Sequence, residues 1–476
     1  VNSRPAHVAV VGGGISGLAA AHRLRRLLGG QAVITVFEQS DRVGGKLRTT
    51  ELAGHRYDVG AEAFLHRRPE ATELITELGL ADQLTHPAGV GGTVRAGGHT
   101  NPIPGHTLMG VPASAEAVRG VLSTDALARV AAEPDLPPVR LDGADVSVGA
   151  LLRERFGPEV PDRLVGPLLG GVYAGRADDL GLRATMPALA NALDAGAGSL
   201  VTAAATVMPA PPQSHTPRPP VFGTLRDGLG GLTDRLAEVA APELRLGLPV
   251  RALHRLEHGW RLEIGPAPHP EILDVDAVVL AVPAPSARRL LDGVVPAAAE
   301  RFARVEVASM AVVALALPPD VELPASSGVL LAEGERRADG TLFTAKAFTF
   351  SSRKWGHLGG QGHVLVRGSV GRQGEAVLLQ RSDEELVQAV RADLAELTGV
   401  TATPVDTLVT RWGGGLPQYG VGHLDLVDGI ERAVAEAPGL AVAGASLHGV
   451  GLPACIATAD AAAARVAAHL LGRLPR

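Results

Sequence analysis

VAVVGGGISGLAA, residues 8–20, is the stretch on which the fold turns. Val8, Ala9, Val10 and Val11 form the short continuous apolar run that a buried parallel strand requires. Gly12, Gly13 and Gly14 follow, with Gly17 completing the pattern G-x-G-x-x-G. Residues 15–28, opening with Ile15 and Ser16, carry apolar side chains at helical spacing, and residues 32–37, AVITVF, return to a strand. The whole reads as a βαβ unit that starts a parallel sheet. In such a unit the first glycine permits a tight turn, the second lets backbone approach a pyrophosphate, and the third lets helix and strand pack closely. The phosphates then meet the unpaired N–H groups of the helix N-terminus. Glu38 ends the second strand, where its carboxylate can accept both hydroxyls of a ribose. Taken alone the glycines need be no more than a turn; within this unit they predict dinucleotide binding.

Working outward, Glu38 is followed by QSDRVGGKLRT, residues 39–49, which supplies Gln39, Arg42, Gly44, Gly45, Lys46 and Leu47. This resembles the extended fingerprint of the flavoprotein superfamily that includes amine oxidases, phytoene desaturases and protoporphyrinogen oxidases. The resemblance implies FAD rather than NAD, with the arginine and paired glycines holding the pyrophosphate. YDVGAEAF, residues 57–64, lies at the spacing where that superfamily brings backbone beside the isoalloxazine, which implies flavin contact for Gly60, Ala61, Glu62 and Ala63. In LGLPVRAL, residues 246–253, Val250 sits where backbone groups would meet adenine, and DAVVLAVPA, residues 276–284, resembles the strand that follows. GLAVAGASLHGVGLPACIATADAAA, residues 439–463, reads as a strand, a glycine-containing loop and an Ala-rich helix from about residue 455. A helix N-terminus aimed at the flavin pyrimidine would stabilise charge on the reduced ring. The resemblance implies that Ala445, Val450, Gly451 and Leu452 contact FAD. Cys455, at the start of that helix, reads as a small buried residue rather than an attachment point.

The rest of the chain sets bounds. With 476 residues, 46% hydrophobic, two or three domains are expected. Aromatic residues make up only 3%, so Ala, Leu and Val must fill the core. Arg far outnumbers Lys, as a GC-rich bacterial genome would encode. A net charge of -6 without a basic stripe argues against a nucleic-acid partner. One cysteine excludes an intrachain disulfide and any multi-cysteine metal site, and no metal is expected. Residues 1–7 lack the apolar core of a signal peptide, and the longest apolar run, residues 307–317, is too short to span a bilayer. The expectation is a cytoplasmic protein with no transmembrane segment. Residues 69–80 and 147–157 predict helices, residues 105–200 a mostly helical region, and residues 208–220, MPAPPQSHTPRPP, a loop or linker. Residues 228–236 open another helix, and 244–250 and 277–282 read as strands. Several β-rich segments fill residues 300–380, and Ser382 with Glu385 forms a capping box for a helix that ends at Gly399.

Four further stretches resemble the protoporphyrinogen/coproporphyrinogen oxidase family. They are LVGPLLGGVYAGRADDL (164–180), VFGTLRDGLGGLTDRLAE (221–238), VLVRGSVGRQGE (364–375) and RWGGGLPQYGVGHLDLV (411–427), the last implying a flavin contact for Trp412. The resemblance extends over nearly the whole chain. It implies an α/β fold, α+β overall: a Rossmann-like FAD domain of the p-hydroxybenzoate-hydroxylase type with an interleaved β-sheet substrate domain and a helical domain. The expected divisions are 1–64, 216–288 and 428–476 for FAD, 65–104 and 289–427 for substrate, and 105–215 for the helical domain. Some relatives place an arginine, which pairs with a substrate carboxylate, where this chain has Gly92. Arg367, in the expected substrate sheet, is the candidate for that role; otherwise it is a solvated strand-edge arginine.

The activity implied is six-electron oxidation of coproporphyrinogen III to coproporphyrin III in haem biosynthesis, in three two-electron steps that each reduce FAD. Dioxygen would reoxidise the flavin and release hydrogen peroxide, and neighbouring enzymes of the pathway would be transient partners. The cofactor carries this chemistry while the protein orients the macrocycle. The sequence assigns no catalytic side chain. Protoporphyrinogen IX oxidation, another FAD-dependent amine oxidation or desaturation, and non-catalytic flavin or porphyrin binding stay open as alternatives. An amine oxidase commonly needs aromatic side chains around the flavin, and this chain has three Tyr and three Trp, with Leu447 and His448 in the C-terminal loop.

Overall fold

The computed structural model describes residues 4–208, 220–360 and 362–473, so residues 209–219 of the Pro-rich stretch lie outside the described residues. The apolar run around Val8 forms the strand Ala6–Val11 at the centre of a five-stranded parallel sheet. The sheet order is Glu243–Arg245, Ala32–Phe37, Ala6–Val11, Ala277–Leu280 and Leu440–Val442. Three distant parts of the chain therefore build one sheet. The alternation of a strand sorts its side chains between two cores. Val8 and Val10 pack under the helices Ile15–Leu28 and Leu452–Arg473, whereas Ala9 and Val11 pack against the antiparallel strands Val250–Leu256, Gly259–Ile264 and Glu271–Val275. Both faces are covered, which is why these strands are apolar throughout.

Leu452–Gly472 is long and apolar enough to cross a membrane by length and composition. In this fold Ile456, Ala459, Ala463 and Val466 face the same core as Leu18 and Leu24 of the first helix. This last helix starts at Leu452, earlier than its sequence suggests, because Pro453 is tolerated in a first turn. The expected strand 244–250 is broken. Gly247 takes a positive φ of 68° and its N–H turns back to Ser40 O, so Val250 begins a new strand instead.

A second sheet has seven strands in the order Asp406–Pro417, Val307–Leu317, Val364–Val370, Ala345–Thr349, Gly328–Leu331, Thr93–Ala96 and His99–Pro102. One face packs on the helix Asp383–Thr398 through Val313, Phe348, Val366, Leu386 and Val390. The capping box of Ser382 and Glu385 starts that helix, and Gly399 ends it in a left-handed conformation. The other face meets residues 52–59 through Ala314, Ala316 and Leu365, and meets the helical region through Val94, Ala96 and Leu330.

The helical region, from Thr124–Ala132 to Leu200–Val207, is tied by one buried charge cluster. Glu133 is fully buried and accepts from Arg155 Nε at 2.8 Å, Leu200 N at 3.0 Å and Val201 N at 3.1 Å. It thus neutralises a buried guanidinium and satisfies two amides at the start of a helix. Removing one partner of a buried pair strands the other charge. Glu133→Ala is expected to destabilise the protein by about 3–5 kcal/mol. Adding Arg155→Met should recover part of that loss, both read from urea denaturation midpoints.

A flavin cradle at the carboxyl edge of the parallel sheet

The glycines at the end of the first strand mark places where a side chain has no room. A Cβ on Gly12 would sit 2.3 Å from Ala281 O, and one on Gly17 would sit 1.8 Å from Gly12 O. The helix Ile15–Leu28 can therefore abut the strand directly. Gly14 is its N-cap, makes no side-chain cap bond, and no acidic residue occupies the first turn. The amides and positive end of the helix dipole are left for an external anion. Gly44 N donates to Gly13 O at 2.8 Å, and Gly14 and Gly44 form a parallel bridge, so the second glycine pair lies against the first. Arg42 folds over this turn and donates to Val43 O and Gly45 O, both at 3.0 Å. Its part here is to brace the turn.

Glu38 stands at the expected ribose position. Its Oε2 accepts from Gly13 N at 2.8 Å and its Oε1 from Ser40 N at 2.9 Å. Ser40 Oγ lies 2.8 Å from both Glu38 Oε1 and Arg42 O, but one hydroxyl proton can serve only one of them. A carboxylate offers about four acceptor sites. Two are fixed by amides, which leaves room for both hydroxyls of a ribose. Leu248 N donates to Glu38 O at 3.1 Å and so brings the turn before Val250 alongside. Gln39 is exposed.

The loop of residues 58–63 is held by backbone and charge. Ala61 N donates to Lys46 O at 3.0 Å, and Gly60 packs so closely that a Cβ would sit 1.9 Å from that oxygen. Trp412 Nε1 donates to Val59 O at 3.0 Å. Lys46 is buried beside Gly415, and burial lowers its pKa, opposed in part by Cys455. Glu62 bonds Lys354 Nζ at 2.5 Å and lies 3.5 Å from Arg367. Burial opposes its ionisation, but the two cations outweigh that and hold the carboxyl below its usual range.

Arg367, the candidate for the substrate carboxylate, is engaged by protein carbonyls. Its Nη1 donates to Asp58 O at 3.1 Å and its Nη2 to Gly60 O at 3.0 Å. With Glu62 also at hand, its terminal nitrogens clamp this loop rather than stand open to a ligand carboxylate. The C-terminal loop closes the cradle: Gly444 lies beside Ser16, and Ala445 O accepts from Tyr419 Oη at 2.5 Å. Gly451 O receives Cys455 N at 3.1 Å, and the buried Cys455 Sγ lies 3.8 Å from Gly449 O and 3.9 Å from Val450 O. Burial raises the thiol pKa, so Cys455 packs as a small apolar group.

Sequence reasoning missed the clamp formed by Lys354, Arg367 and Glu62, because Glu62 lies 292 residues from Lys354 and farther still from Arg367. It also missed Asp58, whose carboxylate accepts from Thr49 Oγ1 at 2.5 Å and from Leu229 N at 3.1 Å. Burial pushes its pKa up to about 6, against the downward pull of those two bonds.

A glycine cradle that turns a helix N-terminus outward, beside a carboxylate with two open acceptor sites, is the architecture of a nucleotide-dependent oxidoreductase; the second loop, at residues 58–63, extends it as flavoproteins do. Residues 15–467 match the family of flavin-containing amine oxidoreductases, and the chain belongs to that family. It is 42% identical to the coproporphyrinogen III oxidase of Mycobacterium tuberculosis, over 99% of this chain and 100% of that one. It is 30% identical to the coproporphyrinogen III oxidase of Bacillus subtilis, with 98% of each covered. A solved structure from Exiguobacterium sp. 255-15, described as a protoporphyrinogen oxidase, superposes with a TM-score of 0.85 at 30% identity, covering 98% of this chain and 100% of that one. Cyclohexylamine oxidase of Brevibacterium oxydans, at TM-score 0.69 and 18% identity over 98% of this chain and 100% of its own, shares the fold.

Glu38→Ala is expected to weaken flavin retention, since each lost charge-assisted bond is worth about 1.5–3 kcal/mol. The ratio of flavin to protein after dialysis checks it. Asp58 has a folded pKa above its unfolded value, so the stability it contributes is present below about pH 4 and is lost as pH rises through about 6. Relative to Asp58→Asn, the native protein should lose about 3 kcal/mol across that window, measured by denaturation at each pH.

Proposed function

We propose that this flavoprotein oxidises coproporphyrinogen III to coproporphyrin III, with dioxygen as acceptor. The observation that supports the reading is the similarity to coproporphyrinogen III oxidases over 99% of this chain and the whole of the Mycobacterium tuberculosis enzyme. FAD supplies the redox chemistry when bound, taking electrons two at a time. The residues Gly12, Gly13, Gly14, Ile15, Ser16 and Gly17 would hold the pyrophosphate, and Glu38 the ribose. Gly44, Gly45, Lys46 and Leu47, the loop 60–63, Trp412 and the loop 445–452 would border the rest of the cofactor.

The protein's own contribution is positional. Arg367 and Lys354 fix Glu62 and the carbonyls around it, so the loop beside the flavin cannot drift. Such preorganisation orients a substrate without a dedicated acid or base. An amine oxidase reading is less well supported. Leu447 is buried in the core and His448 lies 2.7 Å from Glu431 Oε1, so neither serves as an aromatic wall for an amine.

The four propionates of coproporphyrinogen distinguish it from protoporphyrinogen, which carries two propionates and two vinyls. kcat/KM for coproporphyrinogen III should exceed that for protoporphyrinogen IX under the same detergent and oxygen. Porphyrin fluorescence gives both rates, and a preference for protoporphyrinogen would overturn the substrate assignment.

A further inference from the structure

Between the helical region and the seven-stranded sheet lies a cleft of about 300 Å³, at the lower limit of small-ligand pockets. Its charges do not balance. Arg153 pairs with Asp162 at 2.6 Å and Asp178 at 2.9 Å, and Arg176 pairs with Glu333. Lys346 and Arg372 remain on the cleft wall with no ion pair among the described residues; the nearest carboxylate acting on both is Glu375, whose Oε2 accepts from Arg372 N at 2.9 Å rather than from either side chain. Lys346 Nζ donates to Gly170 O at 3.2 Å, and Arg372 Nη2 to Leu331 O at 2.9 Å. Lys346 is buried and Arg372 half-buried, and cations without an ion pair are costly in such places, so the two call for an anion.

The strand places Lys346 here by a deliberate irregularity. In the strand Ala345–Thr349, Ala345 pairs with Val370 and Ala347 with Ser369, so Lys346 is an extra residue. A bulge of this kind re-aims a side chain. Ala345 and Phe348 both pack toward the helix Asp383–Thr398, while Lys346 reaches the opposite face, toward Gly170. That is the face on which Arg367 clamps Asp58 and Gly60. Arg367 pairs with Thr349, three residues from Lys346, or about 10 Å along the sheet at 3.3 Å per residue. Lys346, on the cleft wall, thus shares a sheet face with the residue that clamps the flavin-side loop, at the distance of a side arm rather than of a reacting carbon.

We propose that Lys346 and Arg372 form a carboxylate subsite that takes one propionate arm of the porphyrinogen. The assignment rests on the porphyrinogen oxidase reading above. It gives the propionate a partner that neither Gly92 nor the engaged Arg367 provides. Burial first, then Arg372 and Arg367, lower the Lys346 pKa to about 7, against the opposing pull of Glu375. Of the other charges facing the cleft, Arg153 is paired with its two aspartates and Arg176 with Glu333, while Glu333 and Glu375 also act on Arg372. A carboxylate should therefore bind best below pH 7 and more weakly as Lys346 loses its proton.

The test uses the oxidised, FAD-loaded protein and follows fluorescence on titration with coproporphyrin III and with its tetramethyl ester, in one detergent. The native protein should prefer the tetra-acid. Lys346→Met and Arg372→Met should each weaken tetra-acid binding about tenfold or more, leaving ester binding and flavin content unchanged. Lys346→Met should also flatten the fall in tetra-acid affinity above pH 7. Equal binding of acid and ester by the native protein overturns the subsite without any variant, should either variant fail to fold. Unchanged tetra-acid affinity in both variants overturns it too. So does loss of inorganic phosphate binding alone, which would assign the cleft to a free anion. If the native protein fails to turn over coproporphyrinogen, the function falls instead, and the two failures are thereby told apart.

Discussion

The constraint on which the structure depends is the close approach of Gly17 to the carbonyl of Gly12. A single methyl group there would lie 1.8 Å from an oxygen atom. Its absence lets the first helix begin directly at the end of the first strand. The helix amides then point past the carboxyl edge of the sheet, and Glu38, at the end of the neighbouring strand, arrives beside Gly13. Every later element of the cradle is registered against this contact. Gly44 bonds Gly13, Lys46 carries Ala61, and the loop at residue 445 closes beside Ser16 through Gly444.

What was legible in the sequence follows from this. Where function is carried by backbone geometry, the residue type itself records it, because only glycine can occupy the crowded positions. Gly12 and Gly17 could therefore be read directly, as could the parallel sheet, whose apolar strands reflect burial on both faces. The capping box at Ser382 was equally local. The interactions that were not legible are long-range. Nothing near Arg367 in the sequence shows that its guanidinium ends on Asp58 and Gly60. Its strand position suggested a ligand contact, and only the fold shows which carbonyls it meets. Asp58 was hidden in another way: it looks like one more residue of a flavin loop, yet its carboxylate caps the entry to the helix Gly230–Ala240.

The clamp around Glu62 ties the flavin-side loop to the seven-stranded sheet. Lys354 and Arg367 belong to the seven-stranded sheet and its connections, while Gly60 and Glu62 follow the two-stranded hairpin Thr49–Leu52 and His55–Asp58. A partly desolvated carboxylate between two cations is strongly held in position, since low local polarity strengthens each contact. Movement of the loop away from the seven-stranded sheet would break these contacts together. Orientation of a macrocycle against a flavin needs this kind of rigidity, because the reacting atoms gain only when their geometry is fixed in advance.

Two buried charge clusters show how satisfaction separates structure from binding. Glu133 and Arg155 complete each other, and the remaining carboxylate capacity is used by Leu200 and Val201. Nothing is left over, and the cluster ties helices together. Lys346 is as deeply placed and Arg372 half-buried, but each side chain donates to only a single carbonyl. A methionine in place of Lys346 would avoid the desolvation cost altogether, so a chain selected for stability alone gains nothing from that lysine. The bulge at Ala345 and Ala347 adds a second cost, an interrupted ladder, and both costs fall on the one residue that the bulge turns toward the cleft. Departures from local stability that coincide at a single side chain are expected where a ligand completes the site.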